Sequence, residues 1–309
     1  MKRVLSLSIA LSVASALFAV GGATAASGTL TSSGKFPITV LSGDGKIYIK
    51  SRPTRILSLS ASATQMLYAI GAGSQVVGVD KYSTYPPNAP RTGFSGYETS
   101  AEAYLRFKPD LVLMAFDTSH VVEQLKKLHI ATLLLPPATS IAGANAQTRE
   151  LGIATGHTVQ ATKEVASQTT FLQKVSTRVG ATAKGKSYYV ELDPTLYSAT
   201  SSTFIGALFS RFGMVNIADK APNASSGYPQ LSSEYLVSAN PQFVFLADTT
   251  CCQQSVKTFD ARPGYSTISA FLHNEVFPVN DSIASQWGPH SLEAMFTLIA
   301  TDVTKRTGA

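Results

Sequence analysis

The feature that most constrains the fold is an internal repeat at an offset of 132 residues. The segment 100–115 aligns without gaps on the segment 232–247. Ser, Glu, Pro, Val and Ala are identical at five positions, and the apolar pattern agrees at the rest. A period this long excludes a solenoid, whose repeats are roughly 20–50 residues long. We therefore expect two similar lobes, each with a short helix, a loop marked by proline and a buried strand.

Short apolar runs alternate with helical stretches around both copies of the repeat. The pattern predicts strands at 56–59, 76–79, 111–114, 131–135, 187–190 and 243–246, and helices at 63–70, 121–128, 204–212 and 292–304. Between Gly156 and Gly180 there is neither proline nor glycine, and apolar residues recur near helical spacing, which predicts one long helix. The predicted fold class is α/β, with two similar lobes of mostly parallel sheets joined by that single long helix.

The N-terminal segment has the order of a secretory leader. Lys2 and Arg3 precede the apolar stretch 4–20, and Ala23-Thr24-Ala25 fits a peptidase site, so we expect a signal peptide, 1–25, cleaved after its last residue. An uncleaved membrane anchor is the alternative. No cysteine follows the apolar stretch, so lipid attachment is not expected. The predicted location is periplasmic or secreted.

The remaining boundaries follow from composition and from the long helix. A flexible lead-in rich in Ser, Thr and Gly precedes a predicted β-hairpin with strands at 38–41 and 46–49. The predicted segments are the lead-in and hairpin at 26–52, the N-terminal lobe at 53–156, the bridging helix at 157–182 and the C-terminal lobe at 183–309.

Composition and missing motifs remove several functional classes. Charged residues make up 14% and apolar residues 44%, which excludes disorder driven by high charge. Lys and Arg outnumber Asp and Glu by 25 to 19, but no run of five basic residues occurs, so nucleic acid is not an expected partner. The sequence lacks a G-x-S-x-G elbow, a full dinucleotide fingerprint and histidines at metal-ligand spacing. We predict neither an enzyme nor a binder of bare metal ions; a secreted enzyme with an unrecognised site is the competing hypothesis.

The only two cysteines, Cys251 and Cys252, are adjacent. In an oxidising compartment they can pair with each other or with another molecule. A bond between neighbours closes a tight ring that distorts the intervening peptide. A vicinal disulfide and two free thiols therefore both stay open.

Three segments together resemble a known family. They read RPTRILSLSASATQMLYAIGAG at 52–73, VGVDKYSTYPP at 77–87 and WGP at 287–289. They are similar to the class III periplasmic substrate-binding proteins, the binding subunits of ABC importers for ferric siderophores and cobalamin, and the second segment is most similar to the cobalamin type. The resemblance runs from the first segment to the C-terminus. The chain departs from the pattern at Ala61, where proline is usual, and at Gln65, where glutamate is usual.

The resemblance implies a ligand cleft between the lobes, a metal chelate as ligand, no resident cofactor and a monomer that delivers to an ABC importer permease dimer. Haem or another ligand on the same fold is the alternative. Family members dock onto permease arginines through one glutamate per lobe, and Glu102 and Glu234 occupy those positions. Each also fits a helix cap, because Thr99-x-x-Glu102 matches a capping box and the helix dipole favours a carboxylate in the first turn.

Open α/β sheets place their ligands at the carboxyl ends of the strands. Loops at those ends contain the candidate ligand-binding residues Ser60, Tyr82, Tyr85, Phe94, Tyr97, Phe116 and Asp117 in the first lobe, and Tyr197, Cys251, Arg262 and Trp287 in the second. Aromatic rings offer flat apolar area that suits a corrinoid or a chelate, and core packing is the alternative for several of them. The planar fork of Arg262 suits an anionic chelate, and a surface salt bridge is its alternative.

Overall fold

A computed structural model describes residues 35–97, 100–118 and 120–305. The predicted leader with its cleavage site after Ala25, the first part of the lead-in and Thr99 of the predicted capping box lie outside these residues. The described residues all belong to one compact unit. Within them, no helix combines the length and the apolar character needed to cross a membrane.

The strands form one hairpin and two parallel sheets. They are β1 (Ile38–Ser42), β2 (Gly45–Ile49), β3 (Ile56–Leu59), β4 (Val76–Val79), β5 (Leu111–Met114), β6 (Ala131–Leu134), β7 (Ser187–Glu191), β8 (Val215–Asn216), β9 (Phe243–Leu246) and β10 (Val276–Pro278). Strands β1 and β2 pair antiparallel, as predicted. The first sheet has the order β4-β3-β5-β6 and the second has the equivalent order β8-β7-β9-β10.

The helices connect the strands and pack on the sheets. They are α1 (Ala61–Ala69), α2 (Ala101–Leu105), α3 (Val121–Lys127), α4 (Ile141–Thr155), α5 (Thr158–Val179), α6 (Phe204–Ser210), α7 (Ser233–Ala239), α8 (Val256–Asp260), α9 (Ser269–Leu272), α10 (Asp281–Ala284) and α11 (Pro289–Thr304). The prediction began the last helix three residues late, because it overlooked proline at the first helical position, where its fixed φ is favourable.

Each sheet is buried on both faces, which confirms the parallel α/β prediction. In β5, Leu111 and Leu113 enter one apolar core, whereas Val112 and Met114 enter another. The second lobe repeats this alternation, with Phe243 and Phe245 of β9 on one side of its sheet and the intervening residues on the other. Burial on both faces explains why these strands are continuous apolar runs in the sequence.

The 132-residue offset holds in the structure beyond the aligned segments. Ile56 of β3 pairs with Leu111 of β5, and the equivalent residues Tyr188 and Phe243 pair in the second lobe. The turns before β5 and β9 also match, because Lys108 and Asn240 both adopt φ of 46°. The two lobes are therefore structurally equivalent copies.

Helix α5 joins the lobes by contributing to the core of each. Ala161, near its start, packs in a core of the first lobe, whereas Leu172 and Val175, further along, pack in a core of the second. Helix α5 directly follows α4, a helix that the sequence analysis did not predict. A side chain at Gly152 of α4 would overlap Ala161, so close packing of these helices requires glycine at a position that looks unfavourable for a helix.

Candidate functional site

A cavity of about 750 Å³ lies between the two sheets, at the carboxyl ends of their strands. Two pairs of equivalent residues line it. Ser60 follows β3 and Leu192 follows β7, while Ala115 follows β5 and Ala247 follows β9. The cavity therefore uses the same edge of both sheets, where parallel α/β folds bind ligands.

The structure brings six of the candidate ligand residues into the cavity wall. These are Ser60, Tyr82, Tyr97, Phe116, Cys251 and Trp287. The other candidates, Tyr85, Phe94, Asp117, Tyr197 and Arg262, lie outside the wall.

Three rings of the first lobe form a row along the cavity. The centroids of Tyr82 and Tyr97 are 6.2 Å apart in an edge-on arrangement, and those of Tyr97 and Phe116 are 5.3 Å apart and stacked. The two tyrosines are 48% and 58% exposed, respectively, so neither belongs to the core. They present flat apolar area with hydroxyl groups at the tips.

Beside this row, a buried polar network holds a carboxylate in the wall. Asp80, directly after β4, accepts a hydrogen bond from the Ser83 hydroxyl at 2.6 Å. That hydroxyl lies 2.9 Å from the hydroxyl of Thr64 on α1. Burial raises the pKa of Asp80, while hydrogen bonds from the side chain and backbone of Ser83 and from the backbone of Gly96 oppose the rise.

Trp287 lies where the C-terminal lobe meets the first lobe. Its backbone N–H donates to the hydroxyl of Ser62 on α1 at 3.0 Å, and its indole N–H donates to Gln147 of α4 at 2.7 Å. One hydrogen bond thus holds the backbone of Trp287 and another holds its ring, while the residue lines the cavity.

Gln65 of α1 completes this junction. Its amide nitrogen donates to Gln286 at 2.6 Å and to the Ser291 hydroxyl at 2.8 Å, and its oxygen accepts from the Ser291 N–H at 3.0 Å. Gly288 lies against the same side chain, because a Cβ there would come within 2.6 Å of it. Gln65 thus links the two lobes by hydrogen bonds.

Cys251 and Cys252 form a disulfide bond in a loop that walls the second lobe's side of the cavity. The carboxylate of Asp281 accepts hydrogen bonds from the N–H groups of Thr250 at 2.9 Å and Cys251 at 2.6 Å. On the other side, Gln254 donates to the carbonyl of Cys252 at 3.1 Å. The loop is thus fixed on both sides of the disulfide.

Arg262 lies beneath this loop, in a buried ion pair. Its two terminal nitrogens donate to the two oxygens of Glu191, both at 2.6 Å, and one also donates to Gln254 at 2.8 Å. Burial alone would lower the pKa of Arg262, but hydrogen bonding and attraction to Glu191 outweigh it and raise that pKa. Arg262 therefore has a buried internal partner, in place of the surface salt bridge weighed from the sequence.

Asp248 is a second buried carboxyl group in this cluster. It has no exposed surface, and neither of its carboxyl oxygens has a hydrogen-bond partner of normal geometry among the described residues. Burial first, and then the neighbouring charge of Glu191, raise the pKa of Asp248 to about 7. A proton on Asp248 would serve as donor toward Glu191, so the cluster favours the neutral acid.

Two candidates outside the cavity wall have aromatic partners. The ring of Tyr85 stacks on that of His290 at 3.6 Å, beside a separate pocket of about 290 Å³. Phe94 packs edge-on against Tyr104 with centroids 5.5 Å apart, and the guanidinium of Arg106 lies 4.6 Å from its centroid. Their role in ligand binding stays a prediction.

The other two candidates outside the wall make backbone contacts. Asp117 accepts a hydrogen bond from the N–H of Val121 at 2.7 Å, at the start of α3. Tyr197 is 41% exposed and forms an isolated β-bridge with Gln230. Ligand contact by these two residues stays a prediction.

Several wall residues were not identified from the sequence. They include Asp80, Phe204, Ile205, Tyr228, Asp281 and Gln286. Asp80 directly follows a predicted strand, so the rule that selected Ser60 could have found it. Tyr228 stands between glycine and proline in a long connection, and no local pattern places that connection over the cavity.

Glu102 and Glu234 occupy the first turns of the equivalent helices α2 and α7, and both are exposed. The helix caps are Ser100 and Ser232, whose side chains each accept a backbone N–H. The N-cap of α2 is thus one residue after the predicted Thr99. Hydrogen bonds from its own backbone and from Ser232 lower the pKa of Glu234. Neither glutamate forms an ion pair with another described residue.

Two equivalent α/β lobes, one bridging helix and a cleft at the strand ends define a two-lobed substrate-binding protein. The chain belongs to the periplasmic binding protein family, whose sequence profile matches residues 56–282. The family consists of binding proteins rather than enzymes, and the described residues contain no cluster of three or more His, Cys, Asp or Glu suited to a metal ion.

Relatives and solved structures agree with this family. An uncharacterized ABC transporter substrate-binding lipoprotein of Bacillus subtilis, YvrC, is 28% identical over 84% of this chain and 83% of its own. A cobalamin-binding protein of Halobacterium salinarum is 32% identical over 84% of this chain and 72% of its own. The crystal structure of the periplasmic vitamin B12 binding protein BtuF of Vibrio cholerae shares the fold, with a TM-score of 0.68, 22% identity and coverage of 84% of this chain and 99% of that chain.

Proposed function

We propose that this protein is the extracytoplasmic substrate-binding component of an ABC importer. It captures a metal chelate, either a ferric siderophore or a cobalamin or related corrinoid, and delivers it as a monomer to a membrane permease dimer. The proposal rests on the cavity between the carboxyl ends of two equivalent sheets. The names of the Bacillus and Halobacterium relatives support it.

The six candidate residues in the cavity wall form the proposed binding set. Tyr82, Tyr97 and Phe116 offer ring faces from the first lobe. Cys251, held in its disulfide, and Trp287 face the same space from the second lobe, and Ser60 supplies a hydroxyl at the end of β3. The lining is mostly apolar in area but also carries hydroxyl, amide and carboxylate groups, which suits a large chelate whose metal is already fully coordinated.

Capture requires only a small movement of the lobes. Helix α5 packs in both cores, and Gln65 adds three hydrogen bonds across the junction. Such a connection permits a limited rocking motion rather than a wide hinge opening. The cavity in the described structure is therefore expected to be close in shape to the one that holds ligand.

Fluorescence of Trp287 offers a direct test, because it is the only tryptophan in the chain and lines the cavity. We expect saturable quenching when protein lacking residues 1–25 is titrated with cyanocobalamin or with ferric siderophores. Calorimetry on the same samples separates binding from optical absorption by the chelate. No saturable binding of any chelate, together with turnover of a small substrate, would support the enzyme hypothesis instead.

A matched pair of tyrosine variants locates the site. Tyr82→Ala removes a ring from the cavity and should weaken chelate binding by about tenfold or more, the size of a substantial contact residue. Tyr48→Ala removes a similarly exposed ring from the hairpin, away from the cavity wall, and should leave the Kd unchanged. Equal effects of the two variants would argue against binding in the cavity.

For permease docking, we propose that Glu102 and Glu234 pair with arginines of the permease. The support is their exposure at equivalent positions, while serine side chains already cap both helices. Reversing both charges to lysine should abolish uptake in cells without changing the Kd for ligand. Glu123→Lys reverses an exposed charge on α3 and should leave uptake intact. Normal uptake by the double variant would return both glutamates to the helix-dipole explanation.

A further inference from the structure

The charged side chains in the cavity wall are all acidic. Asp80 lies on the side of the first lobe and Asp281 on the side of the second, and the described wall residues include no lysine, arginine or histidine. An excess of negative charge in a partly desolvated cleft acts on every charged ligand that enters.

Both carboxylates are held in place by hydrogen bonds. Asp80 is 3% exposed and accepts from the Ser83 hydroxyl. Asp281 accepts from two backbone N–H groups of the disulfide loop, those of Thr250 and Cys251. Neither group can swing away to make room for an anion without losing these bonds.

The nearest cations offset this charge only in part, because Lys81 attracts the charge of Asp80 but lies at the surface. Arg262, the predicted partner of an anionic chelate, has both terminal nitrogens committed to Glu191 beneath the loop. Lys81 is exposed, and its ammonium lies 5.2 Å from the centroid of Tyr82. In that position solvent and salt screen its attraction for a ligand within the cavity.

Resting on the proposed function, we propose that the protein selects metal chelates that are uncharged or positively charged and discriminates against anionic ones. Neutral corrinoids and ferric trihydroxamates belong to the accepted class. Ferric tricatecholates, ferric citrate and haem, with its two propionates, belong to the rejected class. An anion would lose its hydration in the cavity without gaining an opposite charge, and it would be repelled by both aspartates.

The sharpest test uses two ligands of one shape. Cyanocobalamin and each of its monocarboxylic acids differ only in one side-chain amide replaced by a carboxylate. Calorimetry at pH 7.5 should give a Kd at least about tenfold higher for the acids, which corresponds to about 1.4 kcal/mol. A neutral ferric trihydroxamate compared with an anionic ferric tricatecholate extends the test to siderophores.

Charge-removing variants assign the discrimination to the wall. Asp80→Asn and Asp281→Asn each remove one charge with little change of shape. Each should reduce the ratio of the Kd for the acids to the Kd for cyanocobalamin. Lys81→Gln should leave that ratio unchanged or widen it. Thermal unfolding shows which variants retain the fold. If a variant does not, the comparison of cyanocobalamin with its acids on the wild-type protein still tests the charge selection.

The outcomes separate the two proposals. Binding of neutral chelates with equal or tighter binding of their anionic counterparts would overturn the charge selection and leave the proposed function standing. Absence of binding for every chelate, whatever its charge, would overturn the proposed function and this inference with it. We expect a higher Kd for the anionic member of each pair. We also expect either aspartate variant to reduce the ratio of the anionic to the neutral Kd.

Discussion

Asp248→Asn tests whether the buried acid beneath the disulfide loop is protonated in the folded protein. The pKa of Asp248 is raised by burial and by Glu191, so the folded state holds a proton that the unfolded chain loses near pH 4. The stability contributed by this proton is fully present below about pH 4 and is lost as the pH rises to about 7. Asparagine resembles the neutral acid but does not titrate, so the variant should not lose this stability as the pH rises.

The size of the effect follows from the shift. A folded-state pKa of about 7 lies about three pH units above that of a free aspartate, which corresponds to about 4 kcal/mol. The free energy of unfolding of the variant, relative to wild type, should therefore grow from near zero at pH 4 to as much as about 4 kcal/mol at pH 8.

Urea unfolding followed by circular dichroism, with the disulfide intact, measures this difference at each pH. Other carboxyl groups with raised pKa values, such as Asp80 and Asp302, titrate in both proteins and cancel in the comparison. Asp44→Asn, at an exposed turn, is the matched control for loss of an aspartate outside this buried cluster. The reasoning would be refuted if the difference in free energy of unfolding between Asp248→Asn and wild type were the same at pH 4 and pH 8. It would also be refuted if the variant were less stable than wild type at pH 8.

Three further changes probe the same framework. Arg262→Met leaves the buried charge of Glu191 without its ion-pair partner, so the free energy of unfolding should fall by about 3–5 kcal/mol. Adding Glu191→Leu should recover most of this loss in urea titrations, and no recovery would contradict the ion-pair explanation. Gly288→Ala places a methyl group against α1 and should destabilise by about 1–3 kcal/mol in the same assay, whereas an unchanged midpoint would mean that the junction has room. Replacing both Cys251 and Cys252 by serine removes the disulfide constraint on the loop. The Kd for chelate should rise by about tenfold, because ordering one residue on binding costs about 1–2 kcal/mol. Equal calorimetric affinities would show that the disulfide is not needed to shape the wall.

The repeat and the apolar runs were sufficient to predict the lobes and their central strands. Strands buried on both faces, such as β5 and β9, must be apolar throughout, so their bounds are visible in the sequence. Helix α4 was missed because glycine at 152, which looks like a helix breaker, is required for close packing against α5. Strand β8 has only two residues and shows no local period.

The site was predictable where it depends on strand ends and unpredictable where it depends on distant partners. Ser60 and Tyr82 follow predicted strands and do line the cavity. Arg262 has the chemistry of an anion-binding residue, but its partner Glu191 lies 71 positions earlier in the chain. No local pattern reveals that pairing, because it joins the end of β7 to the turn that follows α8.

The equivalence of the lobes explains both the cavity and its chemical character. Residues at equivalent strand ends, Ala115 and Ala247, line the cavity from both sheets, and their small side chains leave room between the lobes. The loops beyond these ends are not equivalent, since the first lobe contributes a row of rings and the second a disulfide held by Asp281. The repeat therefore accounts for where a ligand is held, while the unrepeated loops determine its shape and charge. Exchanging the repeated strand-end residues should alter the volume available to a chelate, whereas replacing Asp80 or Asp281 should alter which ligand charge is accepted.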